Sequence, residues 1–174
     1  MTPSVTAADV KTALKAWVEG ALTGVTVYET QVNQVAEPNA ADFIMMTAMR
    51  RERLTVDTRL GWDTSAPEPD ALTFTTPTAV HVAFDVYGPE SEDNAQVLAM
   101  LWRSFYAADR LPAAVAPLDA SDPAQRVLVN AEKNYEARWS VDLRAQINPT
   151  VSTPADFADS LAVDIQTPAD TGAA

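Results

Sequence analysis

The sequence predicts an α+β domain: a mainly antiparallel sheet with long strands and a projecting hairpin, with two helices packed on one face. Three observations predict it. Residues Tyr135 to Ile147 alternate without error, with Tyr135, Ala137, Trp139, Val141, Leu143, Ala145 and Ile147 on one side and polar or charged residues on the other, which is a strand with one dry and one wet face. Two stretches, one near each end of a block of alternating segments, carry apolar residues at three and four residue steps. The resulting order of helix, strands, helix, strands places helices over a sheet instead of interleaving them with parallel strands.

The first helix begins at Thr6, which can cap it with Asp9 at the third position. Val10, Ala13, Leu14, Trp17, Val18 and Leu22 form its apolar stripe, and Gly24 can end it. A short strand, Val25 to Glu29, follows. After a polar stretch, Phe43 to Met49 carries apolar residues in both alternating sets and reads as a central strand buried on two faces. Beyond Arg50, Arg51, Glu52 and Arg53 the pattern becomes half exposed through Leu54, Val56, Thr58 and Leu60. The turn-rich GWDTSAPEPDA then leads to Leu72 and Phe74 and on to Val80, Val82, Phe84 and Val86, the return arm of a long hairpin whose tip projects. Pro77 cannot donate to a ladder, so a bulge or an edge is expected there.

Gly88 and Pro89 stop that strand, and Glu90, Glu92 and Asp93 put negative charge at the start of a second helix running to about Ala108. Its expected buried stripe is Val97, Leu98, Leu101, Trp102 and Phe105. Leu111 to Gln125, rich in Pro, Ala and Asp, reads as a structured surface loop, and Val127 to Val129 as a short strand. Residues 1–150 form the single domain. Residues 151–174, with four Asp, no base and the apolar Phe157, Leu161, Val163 and Ile165, form a C-terminal arm with one strand and an end that frays from about Thr167.

Composition removes several function classes. A chain of 174 residues can bury roughly 70% of its unfolded surface, enough for a core without external help. Lys and Arg number 12 against 24 Asp and Glu, for a net charge of -12, which argues against general affinity for nucleic acid. There is no cysteine, so neither a disulfide framework nor a thiolate metal site is available. None of the five glycines is spaced as a phosphate-cradling loop, and no cofactor is expected. No stretch approaches the roughly 20 apolar residues of a membrane span, and no leader is visible, so the chain is expected to be soluble and made in the cytoplasm.

Few residues suggest chemistry. His81 is the single histidine, so any imidazole metal site or triad would pass through it; its place in a strand pattern with Ala79, Ala83 and Asp85 reads instead as a half-exposed structural residue. Asp85 and Asp142 would be the acid and base of a small hydrolase, yet neither sits in an apolar surround that would perturb its ionisation. Arg50, Arg51, Arg53 and Arg59 are the one basic concentration in an acidic chain. Alternation puts Arg51, Arg53 and Arg59 on one side and Arg50 on the other, where they either guard an edge or dock an acidic partner or another copy. Trp17, Trp102 and Trp139 fall on core stripes, whereas Trp62, beside Gly61 at the expected hairpin tip, either anchors an interface or folds back over the sheet. On the wet face of the long strand, Arg138, Asp142 and Arg144 are available to a partner.

The first helix, the segment VYETQVNQVAEP, the long hairpin, the helix ESEDNAQVLAMLWRSF and the ending AEKNYEARWSVDLRAQINPTVSTPADFADSLAVDI together resemble the neck or tail terminator proteins of tailed bacteriophages, over roughly residues 5 to 165. The resemblance implies a structural, non-enzymatic part of the virion neck, assembled in the host cytoplasm. It also implies a homo-oligomer, commonly a hexameric ring, that caps the tail tube protein and joins it to connector or adaptor proteins while DNA passes without specific binding. A head-tail adaptor or minor tail protein is the alternative within the same class.

Overall fold

A computed structural model describes residues 1–30, 41–55, 58–63, 71–126, 128–129 and 135–154. Helix α1, Ala7–Ala21, starts as its sequence predicts: the Thr6 hydroxyl accepts from the Asp9 N–H (3.2 Å) and the Asp9 carboxylate accepts from the Thr6 N–H (2.8 Å), a reciprocal cap. It buries Val10, Leu14, Trp17 and Val18. The turn after it reaches β1, Thr26–Glu29, through Gly24 at φ 85°.

The main sheet has six strands, with the path β1, β2 (Phe43–Arg53), β5 (Thr78–Tyr87), β10 (Arg138–Ile147), β6 (Val115–Ala120), and with β7 (Ala124–Gln125) also on β10. All pairs are antiparallel except β1 with β2, which is parallel. Ile44, Met46, Val80, Val82, Phe84, Val86, Val141, Leu143, Ala145 and Ile147 line one face and are buried beneath the helices. A second sheet of three strands, in the order β11 (Thr150–Pro154), β4 (Ala71–Thr75), β3 (Arg59–Asp63), continues the hairpin beyond the core. The two sheets meet at Thr76 and at buried Pro77, where a break between β4 and β5 takes the place of the expected bulge or edge and the Pro77 carbonyl accepts from the Leu54 N–H at 2.9 Å. A last pair, β8 (Leu128–Val129) with β9 (Tyr135–Glu136), stands apart from both. Among the described residues no helix is long and apolar enough to cross a membrane.

Several expectations are corrected. The segment at Phe43 is not buried on two faces: Ile44 and Met46 are buried, while Phe43 and Met45 lie half-buried on the opposite side. The doubled apolar pattern has another cause, a bulge at Met49, since Ala48 pairs with Val82 but Arg50 pairs with His81. The second helix is broken into α2 (Ser91–Trp102) and α3 (Phe105–Arg110), because the Ser104 hydroxyl accepts from the Tyr106 N–H (3.2 Å) and caps a new helix. The rotation at that break turns Tyr106 inward, with its ring 6.4 Å from that of Trp17, and leaves Phe105 80% exposed. Val97 is also exposed, whereas Leu98 and Trp102 are buried as expected, joined on the buried side of α2 by Ser91, Ala95 and Ala99. Small alanines let this helix lie close on the sheet, and Trp102 meets Trp17 edge-on at 5.0 Å.

Leu111 to Gln125 is not a loop, for it supplies β6 and β7 along β10. The long strand expected from Tyr135 divides at Ala137 into β9 and β10. Trp62 is not in the turn but within β3, opposite Leu72. The arm contributes β11, paired with β4, and the expected features at Phe157, Leu161, Val163, Ile165 and Thr167 lie outside the described residues.

The borders of the main sheet are blunted. On β1 the Val27 N–H is taken by the Glu19 carboxylate at 3.0 Å. Beyond Met46 no strand pairs with the outer edge of β2 among the described residues, and that stretch carries Arg50, Arg51 and Arg53. On β6 Pro117 has no N–H to offer, and the register shift that pairs Asp119 with Arg144 but Pro117 with Ala145 leaves Leu118 out of the ladder. On the small sheet, β11 ends in Pro154 and β3 carries Arg59 and Asp63.

Candidate subunit interface

The residues expected to meet a partner fall on three surfaces. The first is the face of the main sheet that carries no helix. At one end a row of side chains crosses four strands: Tyr28 edge-on to Phe43 (6.2 Å), Phe43 stacked on Tyr87 (4.7 Å), and the Arg138 guanidinium 5.5 Å above the Tyr87 ring. Arg138 also donates to Asp85 at 2.6 Å, and the Ser140 hydroxyl donates to the other Asp85 oxygen. Burial works against the Arg138 charge, but the hydrogen bond and the charge of Asp85 outweigh it, so its pKa is raised above the ordinary arginine value. Arg138 is thus committed within its own chain.

Further along this face, Arg144 pairs in register with His81 on one side and Asp119 on the other. His81 Nε2 lies 3.1 Å from a Glu52 carboxylate oxygen. Asp142 is exposed, with its N–H donating to the Ser121 hydroxyl at 2.8 Å. His81, Asp119, Ser121, Asp142 and Arg144 border a shallow open depression. Asp142 lies opposite Ala83 and Asp85 opposite Ser140, so the two carboxylates expected as acid and base are diagonal neighbours on adjacent strands, with Asp85 ion-paired to Arg138. Among the described residues no cluster of acidic or imidazole groups could hold a metal.

The second surface is the far end of β2. Arg50 makes a loose contact with Glu52 (3.5 Å), whereas Arg51 and Arg53 are exposed and have no ion-pair partner among the described residues. Pairing separates Arg50, opposite His81 on the open side of the sheet, from Arg51, opposite Val80 on the helix side, while Arg59 belongs to the second sheet. Here α1 no longer covers the sheet. A cleft of ≈ 190 Å³ opens between the two, floored by Val10, Val80 and Val82 and bordered by Lys11, Arg50 and Arg51. Sequence reasoning missed this cleft, because it depends on where a helix stops relative to a strand from another part of the chain.

The third surface is the small sheet. Arg59 pairs with Thr75 and Trp62 with Leu72. Leu60 is 52% exposed and Phe74, its partner, 38%, which makes an apolar pair displayed away from the core.

Residues 8–170 match the family described as phage neck terminator protein. No curated protein matches the chain. Among solved structures it is similar to the sheath/tube terminator of an extracellular contractile injection system, PVC, seen by cryo-electron microscopy in the extended state. The identity is 12% and the TM-score 0.49, with 97% of this chain and 66% of that chain covered, so the present chain spans just under two thirds of that protein's length.

Proposed function

We propose, for a chain that belongs to the phage neck terminator family and is therefore a structural component of the tail's neck end, that copies of it form a hexameric ring closing the tail tube and joining it to the connector on the head side. The observation that carries this reading is the family match over nearly the whole chain, and two structural features support it. The small sheet continues the hairpin beyond the main sheet and displays the apolar pair Leu60 and Phe74, while the main sheet's borders are blunted by Glu19, Pro117 and the arginines of β2. A head-to-tail interface built on such a projection closes into a ring when its rotation closes.

The arginines Arg50, Arg51, Arg53 and Arg59, with Trp62 and Leu60 on the projecting sheet, are the contacts we assign to neighbouring copies or to the tail tube. Asp142 and Arg144 on the helix-free face are the remaining polar contacts, and Arg138 acts indirectly by stiffening that face. A net charge of -12 suits a channel that DNA crosses without being held. In this reading the ring is assembled in the host cytoplasm before it enters the virion, and no residue is given a catalytic role.

Native mass spectrometry of the purified chain, alone and with tail tube protein, tests the proposal. The expected result is a hexamer or a tube-capping complex. A chain that stays monomeric and never joins tubes would overturn it. Replacing Arg51 and Arg53 by Glu should weaken assembly and leave the monomer folded, since exposed charges add only about 0–1 kcal/mol to stability.

A further inference from the structure

The cleft between α1 and the far end of β2 joins an apolar floor to a basic border in a chain that is otherwise acidic. Val10, Val80 and Val82 form the floor, and of the cations at its mouth Arg51 has no ion-pair partner among the described residues. Its ≈ 190 Å³ exceeds the roughly 150 Å³ of a cavity that accepts a benzene ring, so one aromatic side chain fits. An occupant must therefore offer a ring flanked by carboxylates.

The chain itself contains such a segment. Past Pro154 it reads Ala155, Asp156, Phe157, Ala158, Asp159, with no base up to Ala174. Phe157 is the one aromatic residue there, and acids stand one residue before it and two after. Elsewhere in the sequence no Phe, Tyr or Trp has two carboxylates so close without a nearby base.

Chain direction decides which copy receives it. Thr150 bonds back to Ser4, next to α1, and pairs with Thr75 at the core end of the small sheet. From there β11 runs outward until Pro154 pairs with Ala71. Pro154 thus stands nine residues along the β4–β5 path from Val80 on the cleft floor, on the order of 25 Å, more than the roughly 10 Å that residues 155–157 can span even with the length of a phenylalanine side chain added. We infer that Phe157 of one copy seats in the cleft of the next, with the flanking Asp156 and Asp159 set toward Arg51, since Lys11 is taken by Glu29 at 2.9 Å and Arg50 lies on the other face of the sheet, so that each copy is latched to its neighbour by its C-terminal segment.

This inference rests on the ring reading, and the experiment separates the two. Because the full chain has no cysteine, thiols can be placed singly: Ala48→Cys, on the exposed β2 residue that borders the cleft, and Ala158→Cys, beside Phe157. Mixing the two single variants under mild oxidation should give a disulfide-linked dimer, and the double variant should link between copies. Phe157→Ala and Arg51→Glu should each weaken self-association about tenfold, the loss of one anchor contact. Asp156→Lys should restore association to Arg51→Glu. Circular dichroism on each variant checks that the fold is kept. Rings that form equally well with Phe157→Ala, and no mixed dimer, would overturn the latch and leave the ring standing. Internal closure in the double variant would also overturn it, in favour of the chain's own cleft. A chain that is monomeric at every concentration would remove the ring and the latch together.

Discussion

The indole N–H of Trp102 donates to the backbone carbonyl of Arg144 at 3.2 Å. That carbonyl lies where the β6 register shifts between Arg144 and Ala145, so the helix side chain supplies the donor at the point where the ladder is irregular. Trp102 is therefore both core volume and a lock between α2 and β10. Trp102→Phe keeps most of the volume and removes the donor, and chemical denaturation should show a loss of about 1–2 kcal/mol. Trp102→Ala should lose about 3–5 kcal/mol.

Gly88 joins β5 to α2 at φ 108°. A Cβ there would be driven into the Ala41 carbonyl and the Asp42 carboxylate, and that same carboxylate accepts from the Glu90 N–H at 3.1 Å at the start of α2. Gly88→Ala should cost on the order of 2 kcal/mol or more, combining left-handed strain with the collision. A thermal midpoint unchanged from the parent chain would contradict this account.

Asp85 and Arg138 form a partly shielded pair with side-chain exposures of 15% and 27%. Asp85→Ala leaves a shielded guanidinium without its partner and should destabilise by about 2–3 kcal/mol. The double change Asp85→Ala with Arg138→Met should recover much of that loss, because no charge is then left unpaired. A double variant as unstable as the single one would locate the effect in packing around Tyr87.

The Thr6 hydroxyl and N–H both donate to Asp9, which lowers the Asp9 pKa below the ordinary carboxylate value. The folded pKa being the lower one, the cap's ionic part is fully present above the unfolded value, near pH 4, and is lost as pH falls through the folded value. Compared with Asp9→Asn, the parent chain should be more stable by a constant amount at neutral pH, and the difference should shrink below about pH 4. Thr6→Ala, which removes the hydroxyl itself, should cost about 1 kcal/mol across the whole range.

How far the sequence carries depends on where information is local. The α1 cap was legible because Thr6 and Asp9 are neighbours, and the β5 and β10 faces because alternation is written along each strand. Pro77 announced its interruption through missing donor chemistry. The break at Ser104 was hidden, since a serine inside a helical pattern becomes a cap only when tertiary contacts, here Trp17 with Tyr106, favour the turn. Strand β6 was hidden by the features that protect it: Pro117, Asp119 and the exposed Ala116 and Leu118 erase the alternation that an interior strand would show. The bulge at Met49 imitated a strand buried on both faces. For the candidate interface, residue types were legible and commitment was not, as Arg138 and Arg51 look alike in sequence while one is engaged by Asp85 and the other has no ionic partner among the described residues.

The Glu19 carboxylate over the Val27 N–H, together with Pro117 on the opposite border, gives the chain a property that matters before any assembly exists. In the ring proposed above, copies have to reach high concentration without zipping edge to edge into ribbons. With those two positions blunted, free copies find less template there, and the proposed contact falls to the small sheet and the arginine-bearing end of β2. Glu19→Ala should open the β1 border, and turbidity at rising concentration should then increase although the fold is unchanged: the carboxylate governs shelf life more than shape.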